Sequence, residues 1–257
     1  MGLRSYQVMD IERRGPYATL TVGGEVAPSE PGQFYMLRGD WGADPLLGRP
    51  LSILGENPSE GTIRFLLKVV GRGTRLLYEL EPGQKVFGLG PLGRPFPRVV
   101  EGEGRRVLVG GGVGVPPMVY LAGKLKEESL AFTFLQGART ERDLVLLEDL
   151  EAMEVEPVLA TEDGSRGRRG LVTEPMKDLI ERGADAVYAC GPEGMLKAVA
   201  DLCRGKVACH MSLEARMGCG YGVCLGCVVP VQRDGHRVYE RVCKEGPVFD
   251  GEAVLWT

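Results

Sequence analysis

The sequence predicts an α+β chain in three parts: an N-terminal antiparallel β-barrel, a central α/β doubly wound parallel sheet, and a small C-terminal cysteine-rich unit with a β-hairpin. Three observations predict it. In the first hundred residues, short apolar runs are broken every few positions by Gly and Pro. From Arg105 onward, apolar runs alternate with helical segments. All seven cysteines fall from Cys190 toward the C-terminus. The boundaries drawn from these shifts are 1–100, 101–209 and 210–257.

In the first part, strands are expected over 17–23, 34–37, 51–54, 62–70 and 85–88, the turn density of a Greek-key barrel. Two segments there carry chemistry. Gly48-Arg49-Pro50-Leu51-Ser52-Ile53 sets an arginine before a proline-stiffened strand, where it can pair with a phosphate, and a serine hydroxyl follows. Lys68-Val69-Val70-Gly71-Arg72-Gly73-Thr74 places the backbone N–H groups of Gly73 and Thr74, and the Thr74 hydroxyl, ahead of a short helix at 75–78, a setting for a pyrophosphate. Arg-Pro and Gly-x-Gly-Thr also occur in ordinary turns, so their order along the chain is what counts.

The second part reads as strands over 106–109, 130–136, 155–160, 186–190 and 206–209. Helices fall between them at 116–127, 142–151, 173–182 with Thr173 as cap, and 192–202 opened by Pro192. Such alternation implies a parallel sheet covered on both faces. Its first turn is Gly110-Gly111-Gly112-Val113-Gly114-Val115-Pro116-Pro117. Glycine between a strand and a helix lets a pyrophosphate approach the backbone. The match to G-x-G-x-x-G fails where Pro117 stands, so a merely tight turn is the alternative. Cys190-Gly191-Pro192 closes another strand at the edge where open α/β sheets bind ligands. Cys190 is therefore either the neighbour of a nicotinamide ring or a small residue at a strand end. Glu162 and Asp163, after the third strand, offer carboxylates to ribose hydroxyls and repel a 2′-phosphate, which favours NADH over NADPH; Arg166, Arg168 and Arg169 pull the other way.

In the third part, Cys219, Cys224 and Cys227 form C-x4-C-x2-C, the start of the plant-type [2Fe–2S] pattern, with Cys243 as fourth thiol. A structural zinc site also takes four thiolates but typically as two C-x2–4-C knuckles. Here the last thiol stands alone and glycine fills the first loop. Fifteen residues separate Cys227 from Cys243, fewer than is usual in plant-type ferredoxins. A hairpin over 228–232 and 237–242, turning at Asp234-Gly235, fills that gap. Cys203 and Cys209 read as small core residues, and His210 and His236 as structural. Val113-Gly114-Val115 is as much core lining as cofactor contact, and the acidic run 148–156 is a solvated helix face.

Several classes are excluded. With 44% hydrophobic and 26% charged residues, the chain is not disordered. No apolar run approaches the roughly 18 residues of a membrane span, and the N-terminus lacks a signal-peptide apolar region. Met1-Gly2-Leu3-Arg4-Ser5 puts serine one place too early for myristoylation. A net charge of −4 predicts neither nucleic acid nor an anionic membrane as partner. A secreted disulfide scaffold would be shorter and denser in Cys, so a reducing cytoplasm is expected.

The set Arg49-Pro50-Leu51-Ser52, Gly73-Thr74, Gly112-Val113-Gly114-Val115-Pro116, Cys190-Gly191-Pro192 and the cysteine cluster resembles the ferredoxin reductase superfamily. Ser212-Leu213-Glu214-Ala215-Arg216-Met217 and Arg241-Val242-Cys243-Lys244-Glu245-Gly246-Pro247-Val248-Phe249 narrow the resemblance to the electron transfer subunits of class 1B dihydroorotate dehydrogenases. It spans essentially the whole chain. It implies FAD held by Arg49 to Ser52, by Leu66-Leu67-Lys68 and by Gly73-Thr74, and a [2Fe–2S] cluster on Cys219, Cys224, Cys227 and Cys243. NAD falls to Gly112, Gly114, Cys190, Gly191, Pro192, Glu162 and Asp163. The implied partner is an FMN-containing catalytic subunit that oxidises dihydroorotate to orotate in pyrimidine synthesis, joined as two of each. The chain alone is then inactive toward dihydroorotate. Rival readings are the flavoprotein subunit of a sulfhydrogenase or transhydrogenase-type complex, and a zinc-bearing binding module without redox activity.

Overall fold

The computed structural model describes residues 2–97 and 104–256, so the boundary expected at 100/101 lies outside the described residues. Strand alternation builds the first part. The strands β1 (Leu3–Arg14), β2 (Tyr17–Gly23), β3 (Phe34–Gly39), β4 (Arg49–Asn57) and β5 (Thr62–Lys68) precede helix α1 (Arg72–Tyr78) and strand β6 (Lys85–Leu92). They close as β1-β2-β5-β4-β3-β6, all pairs antiparallel. Leu20, Tyr35, Leu37, Ile53, Phe65 and Leu67 fill the interior. β1 was not among the expected strands. Its register shifts between Val8 and Asp10, so the buried residues Tyr6, Val8 and Ile11 do not keep a period of two.

The second part contains β7 (Arg106–Gly111), α2 (Pro116–Glu127), β8 (Phe132–Ala138), α3 (Leu147–Ala152), β9 (Val158–Thr161) and the two-residue β10 (Arg168–Arg169). It continues with α4 (Thr173–Glu181), β11 (Ala186–Cys190), α5 (Glu193–Cys203) and β12 (Ala208–Ser212). The third part holds β13 (Val228–Arg233), β14 (His236–Arg241) and β15 (Val248–Asp250). The sheet order is β10-β9-β8-β7-β11-β12-β15, so strand order reverses beside β7, where β11 pairs with it. Apolar residues on both faces of β7 explain its central place: Val107 and Val109 enter the core shared with α4 and α5, while Leu108 faces α2 and the barrel.

Three expectations are corrected. The helix expected over 142–151 is broken: a 3-10 turn spans Glu141–Asp143, Leu146 takes φ 61°, and α3 starts only at Leu147. Leu144, Val145 and Leu146 are buried, and a continuous helix would not drive three successive side chains inward. Thr173 lies inside α4 rather than capping it; Val172 holds the cap position without a side-chain hydrogen bond. The last parallel strand, β12, runs to Ser212 and so passes through the 209/210 boundary. There β15 pairs with it antiparallel, joining the cysteine-rich part to the sheet. Strands of two and three residues, such as β10 and β15, are too short to display a period.

Among the described residues, no helix is long and apolar enough to cross a membrane.

Candidate functional site

At the point where the sheet order reverses, the turns after β7 and β11 meet. A cavity of about 460 Å³ opens there, lined by Gly111, Gly112, Val113, Glu162 and Pro192, and across from them by Tyr17 and Lys68 of the barrel. Gly112 takes φ +53° with open space beside its Cα. Gly114 does not face the cavity. A Cβ on it would stand 2.6 Å from the Gly191 nitrogen, so this glycine lets the two turns touch. Glu162 lines the cavity, whereas Asp163 builds the turn: its Oδ1 accepts from the Ser165 N–H at 3.0 Å and the Ser165 hydroxyl at 2.7 Å. Those bonds hold the Asp163 carboxyl below its usual pKa.

Cys190 is fully buried at the end of β11, beside Ser212 in the pairing with β12. Burial first, then the charge of Glu214, pushes its thiol pKa far up, so it stays protonated. Gly191 and Glu214 also line a second cavity of about 430 Å³ against Trp256 and the start of the hairpin.

On the barrel, Arg49 opens β4, and its guanidinium lies directly over Gly73, where a Cβ would sit 2.0 Å from Nε. Leu51 points into the barrel, while Ser52 and Pro50 are paired with Phe34 and Met36, which face outward into the core shared with the cysteine-rich part. Leu67 likewise points inward, but Leu66 and Lys68 face the parallel-sheet module. The Thr74 hydroxyl is committed within its own loop. It donates to the Gly71 carbonyl at 3.0 Å and accepts from the N–H groups of Val70 (3.0 Å) and Gly71 (3.1 Å). Backbone N–H groups are thus what Gly73 and Thr74 offer a phosphate.

The hairpin returns Cys243 to Cys227. Its register pairs Val228 with Arg241, so the strands and turn occupy 228–241 and only Val242 separates the hairpin from Cys243. That accounts for the short spacing. The Val242 N–H donates to the Cys227 carbonyl at 3.0 Å, and the Cys243 N–H reaches the Cys227 sulfur at 3.5 Å. Arg241 clamps the other loop, donating to the Gly222 carbonyl at 2.8 Å while pairing with Glu245. Burial opposes ionisation of Cys219, but backbone N–H groups of Cys224, Tyr221 and Val223 outweigh it and lower its pKa to about 6. Burial, then the Cys227 thiol, raises Cys243 to about 12. Among the described residues, no three His, Cys, Asp or Glu side chains gather tightly around one point, as a single ion requires. What fits a two-iron cluster is the donor set: four free thiols with backbone N–H groups aimed at sulfur.

The chain is 41% identical over 243 residues to the dihydroorotate dehydrogenase B (NAD(+)) electron transfer subunit of Geobacillus thermodenitrificans (strain NG80-2), covering 92% of each. The chain belongs to the family of dihydroorotate dehydrogenase B electron transfer subunits. Residues 214–255 match the iron–sulfur cluster binding domain of dihydroorotate dehydrogenase B, and residues 108–201 match the oxidoreductase NAD-binding domain. A solved structure of the NADH-dependent reduced ferredoxin-NADP oxidoreductase is 30% identical with TM-score 0.83, covering 98% of this chain and 90% of that one. At 16% identity, a ferredoxin NADP+ reductase from Neisseria gonorrhoeae shares the fold with TM-score 0.67, covering 80% of this chain and 92% of that one. As an oxidoreductase electron transfer subunit, the chain is not the zinc-bearing binding module held open as a rival.

Four polar side chains of the cavity lining were not among the site residues read from the sequence: Tyr17, Arg139, Asp143 and Thr173. Arg139 directly follows β8 at the ligand-binding edge of the sheet, a position that could have flagged it. Tyr17 and Asp143 come from different parts of the chain, so nothing in local sequence joins them. Cys203 and Cys209 are buried in the same core. His210 packs its ring 5.3 Å from that of Tyr188, and His236 is exposed at the hairpin turn.

Proposed function

We propose that this subunit carries electrons between NAD and an FMN-containing dihydroorotate dehydrogenase subunit, as a complex of two of each in the cytoplasm, in pyrimidine biosynthesis. One observation carries the reading: both ends of the relay meet the same barrel. Gly220 of the cysteine loop lies against Met36 of β3, and Met36 pairs with Pro50 of the Arg49–Ser52 segment. The nucleotide cavity opens on the barrel through Tyr17 and Lys68. With FAD bound, the chain gains a group that accepts two electrons as hydride and passes them singly to a [2Fe–2S] centre.

The residues divide the remaining work. Arg49 neutralises phosphate charge, and the N–H groups of Gly73 and Thr74 donate to it. Gly112 admits a pyrophosphate to the backbone, while Glu162 accepts from ribose hydroxyls. Cys190, protonated and buried, closes the strand edge against water. Cys219, Cys224, Cys227 and Cys243 supply the thiolates. Free thiols throughout the chain suit a reducing cytoplasm.

Co-purified with its catalytic partner, the subunit should reduce NAD+ at the expense of dihydroorotate, with NADH preferred over NADPH by kcat/KM in reverse. Alone it should oxidise NADH with an artificial acceptor yet leave dihydroorotate untouched. Dihydroorotate oxidation by the single chain sinks the proposal.

Gly73→Ala tests the phosphate cradle separately. The obstructing atoms belong to the Arg49 side chain, so the fold should persist while the guanidinium is displaced. Retention of FAD on dilution, read by flavin fluorescence, should weaken about tenfold, the loss of one charge-assisted contact. Unchanged retention removes Arg49 from that role.

A further inference from the structure

The broken segment after β8 bends around the barrel and meets β5. Arg64, Leu66 and Lys68 alternate along β5 and share one face. Leu66 is buried with Val145 in the core common to barrel and sheet module. Arg64 pairs with Asp149 at 2.6 Å, and Lys68 with Asp143 at 3.7 Å. The two pairs differ in place: Lys68 and Asp143 line the 460 Å³ cavity, while Arg64 and Asp149 do not. Tyr17, a third lining residue, donates its hydroxyl to Asp143 Oδ1 at 2.8 Å. Lys68 Nζ stands 4.8 Å from the centre of the Tyr17 ring, within cation–π range. Tyr17 first, then Asp143, raises the Lys68 pKa above its ordinary value against the opposing effect of burial, so the ammonium is charged at neutral pH. The other cation of the lining is Arg139, contributed by the sheet module. Lys68 is therefore the cation that the barrel adds to this cavity.

We infer that Asp143 is a positioning residue for the dinucleotide: paired with Lys68 and hydrogen-bonded to Tyr17, it orients the Lys68 ammonium toward a phosphate of the bound nucleotide. The inference rests on the reading of this cavity as the NAD site. Asp149, by contrast, only joins the domains.

The test is steady-state NADH oxidation with ferricyanide by the complex with its catalytic partner, with FAD content measured for each variant. Asp143→Asn keeps the acceptor for Tyr17 but removes the charge, and should raise KM for NADH about tenfold with kcat changed less than about twofold. Lys68→Met should do the same, Lys68→Arg should largely restore KM, and the double variant should be no worse than Lys68→Met alone. Asp149→Asn should leave KM unchanged. Equal KM increases for Asp143→Asn and Asp149→Asn would overturn the inference, since both would then act as domain bolts. Loss of FAD from Lys68→Met in place of a KM increase would overturn it too. Val113→Trp, which fills the cavity, separates the two levels. If it leaves KM unchanged, the NAD site lies elsewhere; if it raises KM while Asp143→Asn does not, only the role of Asp143 falls.

Discussion

Cys227→Ser should leave a chain that still oxidises NADH with ferricyanide but couples to its catalytic partner at least about a hundredfold more slowly, with iron content near background. Cys227 has two jobs in the structure. Its sulfur is one of four candidate ligands, buried at 3% exposure, and its carbonyl fastens the Cys219–Cys227 loop to the far strand of the hairpin through Val242. Serine preserves the backbone bond and nearly the volume, but a hydroxyl is a poor replacement for a thiolate toward iron. The expected loss is therefore of the cluster and not of the hairpin. Barrel and sheet module should keep FAD and NADH, because the cavity and the Arg49–Gly73 cradle contain no residue of this loop. Cys203→Ser is the control: its thiol is buried against Cys209, apart from the four, and the variant should retain iron and coupled activity. Visible absorbance with iron per chain, followed by dihydroorotate-dependent NAD+ reduction, reads both. A Cys227→Ser chain that kept its iron and its coupling would remove Cys227 from the ligand set.

The legible and illegible features of this chain separate by range. The cysteine spacing and the hairpin are local, and Asp234-Gly235 marks the turn that returns Cys243 to Cys227. The glycine turns at strand ends are local too, so the sheet edge carrying the cavity was readable. Hidden features depend on another part of the chain. A bulge between Val8 and Asp10 masks the period of β1. The break after Asp143 goes with a tertiary demand: Asp143 and Asp149 both pair with β5 and Leu144, Val145 and Leu146 are buried between them, so the helix of Leu-Glu-Asp-Leu-Glu-Ala does not extend back beyond Leu147. Likewise β15 is a strand because β12 offers it an edge. Asp163 looked equivalent to Glu162 by type and position, yet its carboxylate is occupied by Ser165. Residue type identified the chemistry; the local hydrogen bonds decided which carboxylate faces the cavity.

Gly114→Ala should destabilise the sheet module by about 3 kcal/mol, near the upper end for added bulk in a packed site, and should abolish NADH binding. Gly112→Ala should cost only about 1 kcal/mol. Both glycines lie in one turn, and the sequence suggests the same reason for each, access of a phosphate to the backbone. The structure gives them different ones. At Gly112 there is open space around an added Cβ, and the penalty is that of φ +53° in a residue with a side chain. At Gly114 a Cβ would lie 2.6 Å from the nitrogen of Gly191 and 2.7 Å from the carbonyl carbon of Cys190. Those are main-chain atoms at the end of β11, held by pairing to β7 on one side and β12 on the other. A side chain could rotate away; a central strand cannot. Relief must come from separating the two turns, which displaces Pro192 from the cavity wall and Cys190 from its place beside Ser212. Thermal unfolding should show Gly114→Ala lower by about 10 °C and Gly112→Ala by about 3 °C. Equal, small shifts would mean that the turns are not in contact and that both glycines serve the nucleotide alone.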